Sequence, residues 1–335
     1  MGWDWYYIHH HFRGSMIPFL NAGQLSAALP YPVLVEALRL AFRNGAEAPR
    51  RHVHSISPDN DAVLLLMPVW QPERHTGVKI VTVAPRNPQL GLPSVHSVFM
   101  LLDSATGAPV CLMDGEELTL RRTAAASALA SGYLSRPDSS RLLVVGTGSL
   151  APYMAAAHCM VRPIRTVSVW GRSAEKAAST AALLRQQFEG SGIEVEVARD
   201  LEAAVREADV ITCATTSTTP IVHGSWVQPG THIDLVGGFR PNMREADDAL
   251  MCSAAVFVDT WNGALTEAGD LVRPMEAGTL ERAALQAELA DLCAGRHTGR
   301  SDMSQVTLFK SVGAALEDLC AADLAWDYHQ SQAGL

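Results

Sequence analysis

The sequence is poor in several features that would place the protein in common classes. Of its 335 residues, 18% are charged and 6% are aromatic, while 48% are hydrophobic. Such a chain can bury a large core, and disorder is not expected. No uninterrupted apolar run approaches the roughly 20 residues that a membrane-spanning helix needs. The formal net charge of −9 disfavours nucleic acid or an anionic membrane as the main partner.

Cysteine is also scarce, and its distribution excludes two further classes. The six cysteines are scattered, and no C-x-x-C pair occurs. This pattern favours reduced thiols in a cytoplasmic protein over a disulfide framework or a zinc site. His52 and His54 share a predicted strand face, but no cysteine, aspartate or glutamate is spaced to complete a metal site, so we expect no metal.

The first fifteen residues differ from the rest of the chain. They have neither helical nor strand periodicity, and they contain a histidine run at His9–His11. Gly14 and Ser15 precede Met16, where an ordinary globular pattern begins, so we interpret residues 1–15 as a tag or non-native leader. A secretory signal is not expected, because a basic start and a sufficiently long apolar core are both missing.

Residues 16–135 predict an α+β region. A helix over 31–45 is followed by a mainly antiparallel set of strands, and an alanine-rich helix over 118–134 closes the region. An amphipathic helix predicted over 309–328 is expected to return to it, so we assign residues 309–335 to the same domain. The strands are predicted over Ala62–Met67, Gly77–Ala84, Ser94–Leu102 and Pro109–Met113.

From Arg141 the pattern changes to alternating strands and helices. Such alternation indicates parallel strands joined by crossover helices. Residues 136–308 are therefore predicted to form a Rossmann-type, doubly wound parallel sheet, and the fold class is α/β with a second, α+β domain. The strands are predicted over Leu142–Val145, Thr166–Trp170, Glu194–Ala198, Val210–Cys213, His232–Val236 and Val256–Asp259.

The most specific motif follows the first of these strands. The run Leu142–Val145 leads directly into Gly146-Thr147-Gly148-Ser149-Leu150-Ala151, and a helix is predicted after it. In a G-x-G-x-x-A pattern the first glycine makes a tight turn and the second lets the backbone approach a pyrophosphate, while the alanine keeps the helix close to the sheet. Strand, motif and helix in this order predict a dinucleotide site, with an ordinary glycine turn as the alternative.

The end of the second strand of this region favours one nicotinamide cofactor. A carboxylate about 20 residues after the glycines binds the ribose 2′-hydroxyl of NAD. Here the strand ends in Gly171-Arg172-Ser173 without a carboxylate. A guanidinium pairs well with a 2′-phosphate, and Ser173 can add a hydroxyl or cap the next helix. We predict that NADP(H) is preferred and that NAD(H) is possible; the alternative for Arg172 is a solvated surface charge.

Three cationic positions are candidates for binding an anionic substrate. Lys79 has apolar neighbours on both faces of its predicted strand, so it must pair, snorkel or line a pocket, and we favour the pocket. Arg121 and Arg122 open a predicted buried helix, in which two adjacent cations cannot both reach solvent without a cost in free energy. The doublet Arg50-Arg51 is a weaker candidate, because a doublet in a loop is usually solvated.

These residues, in this order, resemble the ornithine cyclodeaminase/mu-crystallin family. The resemblance implies a homodimer in which an N-terminal substrate and dimerisation domain accompanies the Rossmann domain. It also implies an α-amino or α-imino carboxylate as substrate and a nicotinamide cofactor. The matching segments are Leu66-Met67-Pro68, Gly77-Val78-Lys79, Asn87, Leu118–Ala125, the Gly146 motif, Gly230–Gly237, Glu267–Asp270 and Phe309–Ser311.

The same resemblance implies roles for individual residues. The substrate carboxylate is held by Lys79, Arg122 and Arg51, with Arg50 as the alternative to Arg51. The nicotinamide is expected near Thr215, the Val236-Gly237 turn and the stretch from Thr307 to Ser311.

Two departures from ornithine cyclodeaminases point to a different reaction. Phe239 stands where those enzymes carry an aspartate that serves the chemistry, and Leu65 stands where they carry a glutamate that binds the distal amino group. Residues 238–245 are instead similar to the R-P-x-x-R-E segment of the mu-crystallin branch, which resembles NADPH-dependent ketimine reductases. The sequence thus predicts an NADP(H)-dependent reductase of a cyclic imino carboxylate. An ornithine cyclodeaminase and an NADPH-dependent binding protein without turnover are the alternatives.

Overall fold

A computed structural model describes residues 17–57, 62–72 and 74–334. The leader predicted at residues 1–15 lies outside the described residues. Two sheets organise the described chain, one of six strands and one of eight.

The six-stranded sheet contains the N-terminal strands. They are β1 (Phe19–Leu20), β2 (His52–Ser57), β3 (Ala62–Trp70), β4 (His75–Val83), β5 (Val95–Asp103) and β6 (Pro109–Asp114). Their order is β1-β6-β5-β4-β3-β2, and every pair is antiparallel except β1 with β6. Along β4 the buried residues Gly77, Lys79 and Val81 alternate with half-buried ones, as expected when only one face of a sheet is covered by helices. The antiparallel prediction is confirmed.

The eight-stranded sheet is parallel throughout. Its strands are β7 (Arg141–Val145), β8 (Thr166–Trp170), β9 (Glu194–Val197), β10 (Val210–Cys213), β11 (His232–Leu235), β12 (Ala255–Val258), β13 (Leu285–Glu288) and β14 (Thr307–Lys310). Their order is β13-β12-β14-β11-β10-β7-β8-β9. Strands β10, β11 and β14 are buried along their whole length, which is typical of a parallel sheet covered on both faces. The prediction of a Rossmann-type, doubly wound sheet is confirmed.

In the part of the chain that the structure describes, eleven helices cover the two sheets. They are α1 (Ala22–Ala28), α2 (Tyr31–Asn44), α3 (Gly115–Leu134), α4 (Leu150–Val161), α5 (Ala174–Gln187), α6 (Leu201–Glu207), α7 (Asp248–Ser253), α8 (Trp261–Glu267), α9 (Gly269–Glu276), α10 (Leu289–Cys293) and α11 (Ala315–Ala333). Among the described helices, none is by itself long and apolar enough to cross a membrane, and the bent pair of α1 and α2 passes that test only when its two parts are taken together.

Helix α3 connects the two sheets. Its small alanine and serine side chains are buried around most of its circumference, and it packs against α2, α4 and α11 as well as strands of both sheets. A helix that is buried on all sides needs small or apolar residues on every face, which explains its weak amphipathicity. Arg122, in the second turn of α3, is thereby placed inside the protein.

The C-terminal segment corrects one prediction. Residues 307–310 form β14 between β11 and β12, and α11 begins only at Ala315, so the helix predicted from Phe309 is wrong at its start. A short, fully buried apolar run does not distinguish a central parallel strand from a helix by periodicity. The predicted domain boundary at residue 308 therefore falls inside β14. Helix α11 packs against α2, α3, β3 and β4 of the N-terminal region.

Candidate active site

A buried cluster of opposite charges lies where α3 and α11 cover the six-stranded sheet. Lys79 Nζ is 2.7 Å from Asp318 Oδ2, and Arg122 Nε donates to Asp318 Oδ1 at 2.8 Å. Arg122 Nη1 also donates to Glu317 Oε2 at 2.5 Å. Lys79 is only 3% exposed, so it does not snorkel to solvent. Because side chains alternate along β4, Lys79 lies on the face of the sheet that the helices cover, and Asp318 of α11 is its partner there.

Arg51 joins this cluster through Gly313. Arg51 Nη2 donates to the carbonyl oxygen of Gly313 at 3.2 Å and lies 3.2 Å from Glu267 Oε2. Gly313 has a φ of 85°, and a Cβ built there would lie 2.7 Å from Arg122 Nη1. The backbone of Gly313 thus lies between the guanidinium groups of Arg51 and Arg122. The structure brings together the three cations that the sequence singled out, while Arg50 reaches the exposed side chain of Asn262 instead.

The charges of the cluster shift one another's protonation. Burial and the neighbouring Arg122 lower the pKa of Lys79 to about 8, against the opposing effect of Asp318. Burial raises the pKa of Glu317 to about 7, although Arg122 opposes it. For Asp318, burial alone would raise the pKa, but the charges of Arg122 and Lys79 outweigh it and hold the pKa below its usual range. Lys79 can therefore gain or lose a proton near neutral pH, whereas Asp318 stays ionised.

The neighbouring Arg121 points elsewhere. Its Nε donates to Glu117 Oε1 at 2.5 Å, Nη1 donates to the carbonyl oxygen of Leu29 at 3.2 Å, and Nη2 donates to the hydroxyl of Ser26. The hydroxyl of Tyr153 donates to the same glutamate at 2.5 Å. Of the doublet Arg121-Arg122 in α3, Arg122 is therefore the one that lies in the buried cluster.

The glycine motif forms a tight turn with open space in front of it. Gly146 has a φ of 126°, and a Cβ built there would lie 2.6 Å from the carbonyl oxygen of Ala214, so only glycine fits. A Cβ built at Gly148 would meet no protein atom within 4 Å. Ala151, in the first turn of α4, is fully buried, and the side chain of Ser149 does not cap this helix. The turn therefore offers a phosphate both backbone N–H groups and room.

A cavity of about 260 Å³ opens beside this turn. Arg172, Ser173 and Lys176 line it together with Gly171 and the Gly146–Gly148 turn, and its lining contains no carboxylate among the described residues. Ser173 also caps α5, because its Oγ accepts from the backbone N–H of Lys176 at 3.3 Å. Sequence reasoning missed Lys176; the available signal was its position one helical turn beyond Arg172, inside the first turn of a capped helix.

The positions expected near the nicotinamide meet at the same edge of the sheet. Thr215 follows β10, Val236 and Gly237 follow β11, and Ser311 follows β14, and these three strands are neighbours. A Cβ built at Gly237 would lie 1.9 Å from the carbonyl oxygen of Thr215, so the two turns touch through their backbones. This is the edge at which α/β sheets bind their ligands.

The two positions that depart from ornithine cyclodeaminases lie at different places in the fold. Leu65 pairs with Val81 across β3 and β4, so it lies on the face of the sheet that carries Lys79. Phe239 follows the Gly237-Gly238 turn, is 38% exposed, and has the guanidinium of Arg240 5.8 Å from its ring centre. Neither position supplies a carboxylate to the site. Within the described residues, no group of three or more His, Cys, Asp or Glu is arranged to hold a metal ion.

A Rossmann sheet with a glycine-rich turn, beside a buried cluster of cations, defines a class of dinucleotide-binding proteins that act on small anionic molecules. A sequence model of the ornithine cyclodeaminase/mu-crystallin family matches residues 25–333, and the chain belongs to that family. The predicted resemblance is thereby confirmed.

Relatives with this fold include enzymes and solved structures. The Delta(1)-pyrroline-2-carboxylate reductase of Colwellia psychrerythraea is 38% identical over 307 residues, which cover 90% of this chain and 96% of that protein. The structure of the Thermococcus litoralis Delta(1)-pyrroline-2-carboxylate reductase in complex with NADH and L-proline matches with a TM-score of 0.89 and 33% identity, covering 95% of this chain and 99% of that one. An archaeal alanine dehydrogenase dimer with bound NAD matches with a TM-score of 0.86 and 27% identity, covering 94% and 97%.

Proposed function

We propose that this protein is a nicotinamide-dependent reductase of α-imino carboxylates, such as pyrroline- or piperideine-2-carboxylate. The observation that carries the proposal is the convergence of Lys79, Arg122 and Arg51 in one buried cluster. The Thermococcus litoralis structure, which holds NADH and L-proline, supports it, because L-proline is an amino acid of the kind that such a reduction yields.

In this reaction, hydride adds to the α-carbon of a C=N bond and a proton is added at nitrogen. The nicotinamide cofactor supplies the hydride when it is bound. Arg122 and Arg51 bind the substrate carboxylate, and Arg122 stays charged, because Asp318 and Glu317 raise its pKa further against the effect of burial. Lys79 adds a third contact and carries a proton on Nζ that it can release near neutral pH. Fixing the carboxylate fixes the α-carbon beside it, which replaces a bimolecular encounter with a positioned one.

Binding of the substrate carboxylate requires one of the ion pairs of the cluster to break, and the pair that is more exposed to solvent costs the least free energy to break. The side chains of Arg51 and Glu267 are 23% and 28% exposed, whereas those of Arg122 and Asp318 are 5% and 0% exposed. An exposed pair contributes little net stability. We therefore infer that Arg51 exchanges Glu267 for the substrate, while Asp318 keeps Lys79 and Arg122 in place.

We further propose that NADP(H) is the preferred cofactor and that NAD(H) is a weaker one. Arg172 and Lys176 supply two cations to the adenosine side of the cavity, and Ser173 supplies a hydroxyl. No carboxylate among the described lining residues opposes a 2′-phosphate.

We propose that the protein acts in the cytoplasm as a homodimer. The face of the six-stranded sheet that points away from α3 and α11 is apolar and half-buried, and its cross-strand neighbours include Leu66, Ile80 and Val98. A second copy covering this face fits the archaeal alanine dehydrogenase, which is a dimer. All six cysteines are free, as is common in a reducing compartment. Ile80→Lys, with the exposed Val33→Lys on α2 as its control, tests the interface: light scattering should report a monomer only for the first.

Two alternatives make different predictions in one assay panel. A reductase oxidises NADPH with pyrroline-2-carboxylate and releases no ammonia from L-ornithine. An ornithine cyclodeaminase releases ammonia from L-ornithine with bound NAD and without net change in the cofactor. A binding protein holds NADPH tightly but oxidises it with none of the imines. We favour the reductase because Leu65 leaves the distal ammonium of ornithine unpaired and Phe239 cannot ionise or accept a proton.

A further inference from the structure

A fully buried carboxylate lies beneath the two turns that follow β10 and β11. Oε1 of Glu245 accepts hydrogen bonds from the backbone N–H of Thr215 at 2.8 Å and from its hydroxyl at 2.9 Å. Oε2 accepts from the backbone N–H groups of Gly237 at 2.8 Å and Gly238 at 3.2 Å. One side chain therefore ties together two turns that are distant in sequence.

Glu245 is itself held by a second buried acid. Asp270 Oδ1 accepts from the backbone N–H groups of Glu245 at 2.7 Å and Ala246 at 3.0 Å. Asp270 Oδ2 lies 3.2 Å from Lys310 Nζ, and that nitrogen is 3.9 Å from Glu245 Oε2. A Cβ built at Gly238 would lie 2.5 Å from Asp270 Oδ2, so the backbone of the turn rests directly on the acid.

This arrangement is costly as a purely structural device. Glu245, Asp270 and Lys310 are all fully buried, and two of these three groups are acids. Replacing buried ions by packed apolar side chains is often neutral or stabilising, so burial of ions is weak evidence for a stabilising role. The carboxylate of Glu245 instead fixes the position of the backbone in both turns, at the edge where such a sheet binds its ligand.

We infer that Glu245 is a positioning residue for hydride transfer, which holds the Thr215 turn and the Gly237-Gly238 turn as a rigid floor under the nicotinamide ring. The inference rests on the proposed function, since it needs a nicotinamide over that floor. It does not depend on which imine is reduced or on the roles of Lys79, Arg122 and Arg51.

Two ligands separate a floor for the nicotinamide from general stability. NADPH carries the nicotinamide, and 2′-phospho-ADP-ribose lacks it but keeps the adenosine and pyrophosphate. In Glu245→Gln one acceptor oxygen is replaced by a donor that faces backbone N–H groups. We expect the Kd for NADPH to rise about tenfold, the size expected when a hydrogen-bonded contact is lost, and the Kd for 2′-phospho-ADP-ribose to change less than about twofold. With pyrroline-2-carboxylate, kcat should fall about a hundredfold, as misplacement of a reacting group predicts.

Asp234→Asn is the matched control. Asp234 is equally buried in β11 and accepts from Ser127, Thr212 and His158, away from the turns. It should lower the melting temperature but leave the ratio of the two Kd values unchanged. If Glu245→Gln does not fold, Glu245→Asp, which retracts the carboxylate by one methylene, takes its place with the same expectation.

Two results would overturn the inference. One is an unchanged Kd ratio in the Glu245 variant, and the other is an equal shift of that ratio in Asp234→Asn. If the unmodified protein binds neither ligand, the proposed cofactor assignment itself fails, and the floor has no nicotinamide to hold. That outcome is distinct, because it appears before any variant is made.

Discussion

The two sheets of this protein present their functional groups in opposite ways. In the parallel sheet, β10 and β11 are buried throughout, and the candidate cofactor positions are backbone turns at the strand ends. In the antiparallel sheet one face is covered, and the candidate substrate group Lys79 rises from the middle of that face. Under the proposed function, main-chain turns meet the nicotinamide and pyrophosphate of the cofactor, whereas charged side chains meet the substrate.

Loss of the Lys79 charge should have the largest effect, and it should separate recognition of the substrate from recognition of the cofactor. Lys79→Met removes a charge from the buried cluster and keeps an apolar chain of similar length. We expect kcat/KM for the imine to fall about a thousandfold, because Asp318 is left partly unpaired beside the incoming carboxylate. The Kd for NADPH should stay within about twofold, since the hydrogen-bond partners of Lys79, Thr119 and Asp318, lie outside the cofactor turns.

Steady-state kinetics and a fluorescence titration with NADPH measure both effects. Lys176→Met is the matched control, and it should do the reverse by weakening NADPH while sparing kcat at saturating cofactor. Turnover retained in Lys79→Met would remove Lys79 from the site.

A smaller effect is expected on the cofactor side. Arg172→Ala should raise the KM for NADPH about thirtyfold, the loss expected for a charge-assisted contact with phosphate, and leave the KM for NADH unchanged. Arg206→Ala on α6, an exposed arginine paired with Glu202, should change neither. An equal rise of both KM values would show that Arg172 does not contact the 2′-phosphate.

The smallest effect is a pH dependence that only the substrate side should show. The pKa of Lys79 is lowered to about 8, so the side chain loses its charge as the pH rises above that value. Lower charge weakens carboxylate binding, and kcat/KM for the imine should therefore fall by about tenfold in all above pH 8, because Arg122 stays charged. As the pH falls, protonation of Glu317, whose pKa is raised to about 7, removes a negative charge beside Arg122. This change also strengthens binding of the substrate carboxylate at lower pH.

Profiles of kcat/KM between pH 6 and pH 10 measure this decrease, which forms the alkaline limb of the profile. The KM for NADPH serves as the internal control. Lys79→Arg keeps the charge and should move the alkaline limb to higher pH. An unchanged limb in that variant would assign it to another group.

How far the sequence predicts the molecule follows the same division. The glycine turn, its strand and its helix are contiguous, so local pattern predicts them together with the parallel sheet. The buried cluster is not contiguous: Lys79 and Arg122 meet Asp318 from the far end of the chain, and no spacing rule announces that pairing. The family resemblance named the cations, but the acids that hold them emerge only from the fold.

The errors have physical causes as well. The helix predicted from Phe309 includes the last two residues of β14, because four buried residues carry no period and the place of β14 between β11 and β12 is set by tertiary pairing. Glu245 lies in a motif that the sequence singled out, yet its four hydrogen bonds to two turns depend on strand order rather than on residue spacing.

Under the proposed function, side-chain charge in the buried cluster selects imines that carry an α-carboxylate. The most direct test compares NADPH oxidation by the unmodified protein with pyrroline-2-carboxylate and with 1-pyrroline, which has the same ring but no carboxylate. We expect kcat/KM for pyrroline-2-carboxylate to exceed that for 1-pyrroline by about a thousandfold or more, since 1-pyrroline offers no carboxylate to Arg51, Lys79 and Arg122. Equal rates with the two imines would contradict it.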